Sequence, residues 1–308
     1  MLSIAIPVFN TDVRKLVQDL LHQGQRISLP FEIILADDAS LSKFRELNDQ
    51  LKESSCVRTI RLDANIGRSA IRNLLAHEAA FPWLLFLDCD SGISDASFLA
   101  KYLSYTDAEQ VVCGGRYYGN ASAGNPEWKL HRKYGIKREQ QPSGLRNRNP
   151  YRSFMTNNFL IPRPVFQLVG GFDEQLREYG HEDTLFGYQL QLHQVPLVHI
   201  DNPVEHLELQ SNREFVQKSL QAAKNLALID DRLKDPVFRQ SVSLLRFHYK
   251  IKDCRIDGLV RFALSPLRGL LSFILTHIPS LLLLDAVKYQ GFLWGQPLTR
   301  PSTEGSHH

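Results

Sequence analysis

The chain has 308 residues, of which 43% are hydrophobic and 22% are charged, a composition that suits one large or two small globular domains and excludes an intrinsically disordered chain. Its net charge of +3 gives no global field of the kind that marks nucleic-acid-binding proteins. The four cysteines show no metal-binding spacing, so we expect free thiols in a reducing cytoplasm. The apolar start Leu2–Phe9 is too short for a signal peptide and lacks a basic lead, so we expect none.

Strand and helix patterns alternate in the first part of the chain. Strand character is found at 2–8, 31–36, 57–62 and 83–87, and helical spacing at 13–21, 43–53 and 69–77. This alternation predicts an α/β fold with a mostly parallel central sheet flanked by helices. Ligands of such sheets bind beyond the carboxyl ends of the strands. Polar clusters lie at three of these ends (Phe9-Asn10, Asp37-Asp38 and Asp88/Asp90), so a binding site is expected there.

The second half of the chain is basic and then helical. Within the basic segment we expect a helix over Pro126–Tyr134 and a mobile lid elsewhere, because a structureless loop of this length is usually functional. Ser211 and Glu214 form a capping-box pattern that predicts the start of a helix. The predicted parts are a catalytic domain over 1–210 (nucleotide-binding half 1–115, basic loop or lid 116–155, acceptor and base half 156–210), a helical C-terminal extension over 211–300, and a tail over 301–308 that resembles an expression-tag remnant.

Asp88-Cys89-Asp90 is the strongest single chemical signal. Carboxylates two residues apart in an extended segment can face one cation. Mg²⁺ and Mn²⁺ prefer oxygen ligands and often combine one or two carboxylates with substrate phosphates. The alternative is a turn in which the carboxylates cap backbone groups. The position directly after a buried strand favours the metal site.

Two further polar clusters could contact a nucleotide. Asp37 or Asp38 could accept a hydrogen bond from a uracil or a ribose, or could cap the following helix. Asn65 and Gly67 precede a helix that carries Arg72, and a helix N-terminus beside an arginine is a common anion site.

Seven motifs in order resemble those of family 2 glycosyltransferases, from about residue 2 to about residue 206. They are Ile6-Pro-Val-Phe-Asn10, Asp37-Asp38-Ala-Ser40, Asn65-x-Gly67 with Arg72-Asn73, Leu87-Asp-Cys-Asp90, Thr156-Asn-Asn-Phe-Leu-Ile-Pro162, Gly170-Gly-Phe-Asp-Glu174 and His181-Glu-Asp183. The resemblance implies a GT-A fold and inverting, metal-dependent transfer from a nucleoside-diphosphate sugar. It implies that Pro7, Phe9, Asp37 and Asp38 hold the nucleoside, that Asp88 lies near the ribose, that Asp90 binds Mn²⁺ or Mg²⁺, and that Asp183 is the general base.

The Glu182-Asp183 pair fits that implied role. Inverting transfer needs a base for the acceptor hydroxyl, and a carboxylate shielded from water can have a suitably raised pKa. The alternative is that both acids only favour the dipole at the start of an amphipathic helix. Two departures from the family pattern stand out: Gln189 is found where the family often has arginine, and Phe9 where tyrosine is common.

His206 is the predicted third metal ligand, beside Asp90 and Asp88. It follows a strand-like segment, and a neutral imidazole nitrogen suits a transition metal. His199 and Glu205 are lesser candidates, and an ordinary structural histidine is the alternative.

The segment 244–294 is apolar and basic, so it could either contact a membrane or pack on the protein. Its most apolar part, 269–284, is interrupted by His277 and Pro279 and is too short to span a bilayer. Alternating basic and apolar residues fit a peripheral contact at the inner face of the membrane. Packing on the catalytic domain, or on a second subunit in a homodimer, is the alternative of equal weight.

These observations predict a glycosyltransferase that uses a nucleotide-sugar donor, UDP-linked by expectation, and a saccharide or lipid-linked acceptor of a cell-surface glycan. A nucleotidyltransferase that makes the sugar nucleotide is one alternative, but the loop Pro7–Asp12 after the first strand contains no glycine. A non-catalytic sugar- or membrane-binding scaffold is the other. The donor sugar, the acceptor and the linkage cannot be read from the sequence.

Overall fold

The computed structural model describes residues 1–27, 29–120, 124–176 and 179–296. The strands are β1 (Leu2–Val8), β2 (Phe31–Asp37), β3 (Val57–Arg61), β4 (Trp83–Leu87), β5 (Ser91–Gly92), β6 (Val111–Cys113), β7 (Arg116–Tyr117), β8 (Asn158–Pro162), β9 (Leu197–His199) and β10 (Val204–His206). The helices are α1 (Arg14–Gly24), α2 (Ser42–Asn48), α3 (Arg68–Glu78), α4 (Phe98–Leu103), α5 (Lys129–Tyr134), α6 (Ser143–Arg146), α7 (Arg163–Leu168), α8 (Glu182–Leu192), α9 (Asn212–Leu233), α10 (Pro236–Ser241), α11 (Ser243–Asp253), α12 (Asp257–Leu264), α13 (Arg268–His277) and α14 (Leu281–Gly295).

The central sheet is seven-stranded, in the order β3-β2-β1-β4-β8-β6-β9. β8 runs antiparallel to both of its neighbours, and the other pairings are parallel. Along β1, Leu2, Ile4 and Ile6 pack into one core while Ala5 packs into the other, since successive side chains point to opposite faces. Both faces of this strand are therefore buried, as in other parallel sheets. The predicted α/β fold with a mostly parallel sheet is confirmed.

A small second sheet follows directly from the end of β4. Its order is β5-β10-β7, with β10 antiparallel to β5 and parallel to β7. The register places His206 opposite Ser91, and the backbone N–H of Leu207 donates to the backbone carbonyl of Asp90 at 2.9 Å. This pairing brings the predicted third metal ligand to the end of β4.

The basic segment 116–155 differs from the irregular lid that its composition suggests. The predicted helix at Pro126–Tyr134 is present as a short 3₁₀ turn followed by α5. Among the other described residues of the segment are further short helical turns, including α6, where Arg146 is buried and donates to the backbone carbonyls of Cys113 and Gly114. Arginine can satisfy several carbonyls at once because its guanidinium carries five donors, and this anchors the segment to the sheet.

The C-terminal helices share cores with the sheet-bearing part of the chain. α9 begins just after the predicted boundary at residue 210 and carries the predicted capping box between Ser211 and Glu214. Leu185 and Tyr188 of α8 lie in one core with Phe238, Leu245 and Phe292. These helices therefore pack on the catalytic part, which was one of two alternatives of equal weight, and the predicted helical C-terminal extension is confirmed.

Within the described residues no single helix is long and apolar enough to cross a membrane. Two consecutive helical segments reach that length and composition only when they are taken together, as a pair bent by 66°: Asp257–Leu264 and Gly269–His277.

Candidate active site at the ends of β1 and β4

Asp88 is held by two arginines where β4 ends. Its carboxylate accepts a hydrogen bond from Arg72 at 2.7 Å and lies 3.6 Å from Arg116. The Arg72 side chain is only 3% exposed, and a buried guanidinium needs an anionic partner. Asp88 was predicted both as a ribose contact and as a metal ligand. Because the two arginines already balance the negative charge of Asp88, the ion pairs favour the ribose contact.

Asp90 lies against His206, as the two-residue pairing of β5 with β10 dictates. His206 Nδ1 is 3.2 Å from Asp90 Oδ2, and both side chains are mostly buried. Burial alone would raise the pKa of Asp90, but the hydrogen bond and charge of His206, with Arg116 and Arg68, hold that pKa below its usual value. An ionised carboxylate and a neighbouring imidazole nitrogen are suitable ligands for Mn²⁺, and the carboxylate oxygens can also bind Mg²⁺.

The pair would need further ligands to complete a metal site. Glu208 lies close enough to Asp90 that burial, and then the charge of Asp90, raises the pKa of Glu208. The described part of the chain contains no group of three His, Cys, Asp or Glu side chains placed to hold one ion. His199 and Glu205, the lesser candidates, lie elsewhere: His199 bonds Arg146 and the carbonyl of Pro150, and Glu205 bonds Tyr117.

The loop after β1 presents an aromatic face. Phe9 is 49% exposed although it is a large hydrophobic residue, and Pro7 beside it is half-buried. Asn10 has a positive φ of 52°, and its side-chain oxygen accepts from the backbone N–H of Leu41. Pro7 and Phe9 are thus available to a base, whereas Asn10 fixes the loop to the start of α2.

Asp37 and Asp38 are both buried and both have partners within the chain. Asp37 accepts from the backbone N–H of Ser40 at 2.9 Å and from Arg45 at 3.1 Å. These bonds fix the turn before α2, but they do not form the helix cap that was the alternative for one of the two acids, because the N-cap position of α2 is Leu41 and has no side-chain cap.

Asp38 clamps the loop that precedes α3. Its two oxygens accept from the backbone N–H groups of Ile66 at 2.7 Å and Gly67 at 3.2 Å, and Asn65 donates to the carbonyl of Asp38. Gly67 has a φ of 89°, which a residue with a side chain rarely adopts. Asp38 thus fixes the loop that leads into α3, through the two amides that directly precede the first turn of that helix.

Glu182 and Asp183 begin α8 after a sharp turn. His181 has a φ of 69°, and Asp183 accepts from the backbone N–H of Thr184 at 2.6 Å and its hydroxyl at 3.2 Å. Burial, followed by repulsion from Glu182, raises the pKa of Asp183 to about 6. A carboxylate with such a pKa can accept a proton near neutral pH, as predicted for a general base.

Arg68 connects this acidic pair with the end of β4. It lies 3.5 Å from Glu182 and its guanidinium is 4.6 Å above the ring of Tyr179. Burial would lower the pKa of Arg68, but the charges of Glu182, Asp88 and Asp90 raise it. The predicted base and the predicted metal ligand are thus parts of one electrostatic site.

Sequence reasoning missed several residues of this site. Arg116 bridges Asp88 and Glu139, with 3.4 Å to Glu139, and the hydroxyl of Tyr118 donates to the same glutamate. The ring of His131 lies 5.4 Å from that of His206. Neither Arg116 nor Glu139 belongs to a motif, and both are brought in by the small sheet and the packed basic segment.

A family model described as Glycosyl transferase family 2 matches residues 3–170. Chondroitin synthase of Pasteurella multocida (strain Pm70) is 27% identical over 225 residues, which make up 61% of this chain and 23% of that protein. Validoxylamine A glucosyltransferase of Streptomyces hygroscopicus subsp. limoneus is 28% identical over 228 residues, 64% of this chain and 49% of that protein. The chain thus spans less than half of the length of these relatives.

Solved structures share the architecture at low sequence identity. The mannosyltransferase PcManGT from Pyrobaculum calidifontis, in complex with GDP-Man and Mn²⁺, matches with a TM-score of 0.59 and 13% identity, over 96% of this chain and 85% of that one. S. aureus TarS 1–349, in complex with UDP-GlcNAc, matches with a TM-score of 0.52 and 16% identity, over 96% and 92%. The predicted GT-A fold is confirmed.

Proposed function

The chain belongs to glycosyl transferase family 2, and on that premise we propose that it is an inverting, metal-dependent glycosyltransferase. It would move a sugar from a nucleoside-diphosphate sugar, with UDP as the expected nucleotide, to a saccharide or lipid-linked acceptor in glycan synthesis. The observation that carries the proposal is the placement of two acidic groups near one arginine, Arg68: Glu182, which directly precedes Asp183, and Asp90 of the Asp90–His206 pair.

Asp90 and His206 would hold the metal together with phosphate oxygens of the donor. A bound Mn²⁺ or Mg²⁺ would offset the negative charge that develops on the departing diphosphate. A donor-completed site of this kind needs few protein ligands, which agrees with a pair rather than a closed cluster. Asp88, balanced by Arg72 and Arg116, would then face the ribose.

Asp183 would accept the proton of the acceptor hydroxyl. The hydroxyl oxygen forms the new bond to the anomeric carbon while the bond from that carbon to the diphosphate oxygen breaks, so the configuration inverts. The proton moves to the Asp183 carboxylate, which Thr184 holds in place. Glu182, paired with Arg68, keeps a negative charge beside Asp183 and so maintains its affinity for the proton.

A panel of nucleotide sugars tests the donor class. We expect one or more UDP-sugars to raise the melting temperature in the presence of Mn²⁺, because a ligand that binds only the folded state stabilises it by RT ln(1 + [L]/Kd). The measurement is a thermal denaturation series with and without Mn²⁺, with GDP-sugars and UMP as comparison ligands. Absence of any metal-dependent stabilisation would favour the scaffold alternative, and stabilisation by UTP with a sugar 1-phosphate would favour the nucleotidyltransferase.

We also propose a peripheral contact with the inner face of the cytoplasmic membrane through 244–294. Phe262 and Phe273 are 79% and 65% exposed, and clustered exposed apolar side chains mark interaction surfaces. Basic residues lie nearby in the chain, among them Lys250 and Lys252 on α11, and these would attract anionic lipid. The four free cysteines fit the reducing cytoplasm.

Replacing Phe262 and Phe273 together with serine should weaken vesicle binding about tenfold or more, because burying one phenylalanine contributes ~1.5–3 kcal/mol. Flotation with vesicles rich in phosphatidylglycerol measures this. Leu228→Ser, which changes a 56% exposed leucine on α9, is the matched control. Unchanged flotation of the double variant, together with a change from dimer to monomer in its measured mass, would assign the surface to a second subunit instead.

A further inference from the structure

A large cavity lies between α8 and the C-terminal helices. Its volume is about 1170 Å³, above the ~300–1,000 Å³ typical of small-molecule sites. The walls are mostly apolar and include Leu226, Phe247 and Ile251. A cavity with apolar walls favours a hydrocarbon ligand, because each buried methylene contributes ~0.8 kcal/mol.

One end of the cavity adjoins the proposed base. His181, Thr184 and Tyr188 line it, and their spacing places them on one face of α8. The N–H and hydroxyl of Thr184 are the two groups that bond to Asp183. Through Thr184, the cavity wall is therefore bonded to the carboxylate that we propose as the base.

Another part of the wall reaches the exposed apolar surface. Leu259 and Leu282 both line the cavity and are 69% and 81% exposed. They lie on α12 and α14, which contact each other, and α14 also contacts α13, which carries Phe273. The cavity thus opens beside the surface proposed to contact the membrane, so a lipid chain could enter it from the bilayer.

One half-buried cation, Lys288, lines this apolar cavity without a carboxylate partner among the described residues. Its ammonium lies 4.2 Å from the ring centroid of Tyr134. Lys288 is close to the end of the cavity that adjoins Asp183, because the charge of Lys288 acts on His181 there. Burial of His181, followed by this charge, lowers the pKa of His181 to about 4. By contrast, Arg138 in the same wall is paired with Asp285 at 2.9 Å. A half-buried cation without an anionic partner, such as Lys288, favours an anionic ligand in this cavity.

We propose that this cavity binds the acceptor as an acidic lipid: its hydrocarbon chain lies between α8, α11, α12 and α14, its phosphate lies beside Lys288, and its sugar hydroxyl reaches Asp183. This inference rests on the proposed function and assigns the acceptor class for the same site. It gives the exposed surface a purpose beyond attachment, namely the delivery of substrate.

Farnesyl phosphate, titrated into the full chain by calorimetry below its micellar concentration, tests the site. We expect farnesyl phosphate to bind, farnesol to bind more weakly, and inorganic phosphate not to bind. Ala286→Trp, which fills the cavity from α14, should weaken both lipids at least tenfold, whereas Lys288→Met should weaken farnesyl phosphate alone and Lys288→Arg should restore it. Leu228→Trp on α9, outside the cavity, is the control for added bulk and should bind as the parent chain does.

Three results would overturn the proposal. The first is equal binding by Ala286→Trp and the parent chain, with unchanged melting temperatures. The second is binding of inorganic phosphate with the affinity of farnesyl phosphate. The third is binding that appears only after residues 297–308 are removed, which would assign the cavity to the end of the chain itself. Mn²⁺-dependent release of UDP from a donor sugar, measured in parallel, separates a failure of this inference from a failure of the proposed function.

Discussion

Asp183→Asn should lower the rate of sugar transfer by about 100- to 10,000-fold, the range that general-base catalysis contributes, while donor affinity stays within about twofold of the parent value, since Asp183 is not proposed to contact the donor. The amide can still accept the hydrogen bonds of Thr184, so the fold should be retained, but it cannot take up the acceptor proton. Transfer rate and donor affinity are measured separately, by product formation and by calorimetry.

The pH profile provides an independent check on this role. Burial and the neighbouring Glu182 raise the pKa of Asp183 to about 6, and only the deprotonated carboxylate can act as base. The transfer rate should therefore rise with pH through about 6 and level off above it. Glu182→Gln removes the neighbouring negative charge, so it should lower the pKa of Asp183 and move the rise to lower pH. Undiminished transfer by Asp183→Asn would remove this residue from the base role.

Asp90→Ala should abolish Mn²⁺-dependent donor binding and lower transfer about 1,000-fold, because charge stabilisation by a metal contributes several kcal/mol. The variant leaves His206 as the one remaining protein ligand of the proposed pair. His206→Ala should have a smaller effect on metal affinity than Asp90→Ala, because the charged carboxylate remains. Calorimetry with UDP at several Mn²⁺ concentrations measures both variants.

Asp95→Ala is the matched control for that experiment. Asp95 lies close to Asp90 in the sequence, but it is exposed and paired with Lys101 at 2.6 Å, so its loss should leave Mn²⁺-dependent binding intact. If Asp90→Ala binds UDP with the same metal dependence as the parent chain, the metal lies elsewhere. The remaining acid beside it, Glu208, would then be the next candidate.

The regular part of the fold was readable from the sequence because its signals are local. β1 to β4 and α3 were predicted nearly at their observed bounds, since buried parallel strands are continuous apolar runs and helices repeat their apolar residues at fixed spacing. α9 was marked by its capping box. The two-residue strands β5 and β7 carry no such signal, and they are defined only by their partner β10.

The acidic residues of the site could be predicted from the sequence, but the basic residues that pair with them could not. Asp88, Asp90 and Asp183 follow strand ends or begin a helix, so position alone indicated them. The two arginines that balance Asp88 could not be inferred as its partners, because Arg72 comes from α3 and Arg116 from β7. The basic segment looked like a lid by composition, yet Arg146 is buried against backbone carbonyls. Composition does not distinguish a solvated basic residue from one that satisfies buried carbonyls.

The short ladder between β5 and β10 sets a limit on how this region can change length. Because strand side chains alternate between faces, a deletion of one residue between Asn202 and His206 would turn the imidazole away from Asp90. An added residue near Gly124, where no atom lies within 4 Å of an added Cβ, would leave that register untouched. Variation in length among related chains should therefore concentrate in such open turns, while the spacing around His206 stays fixed even where the residues themselves differ.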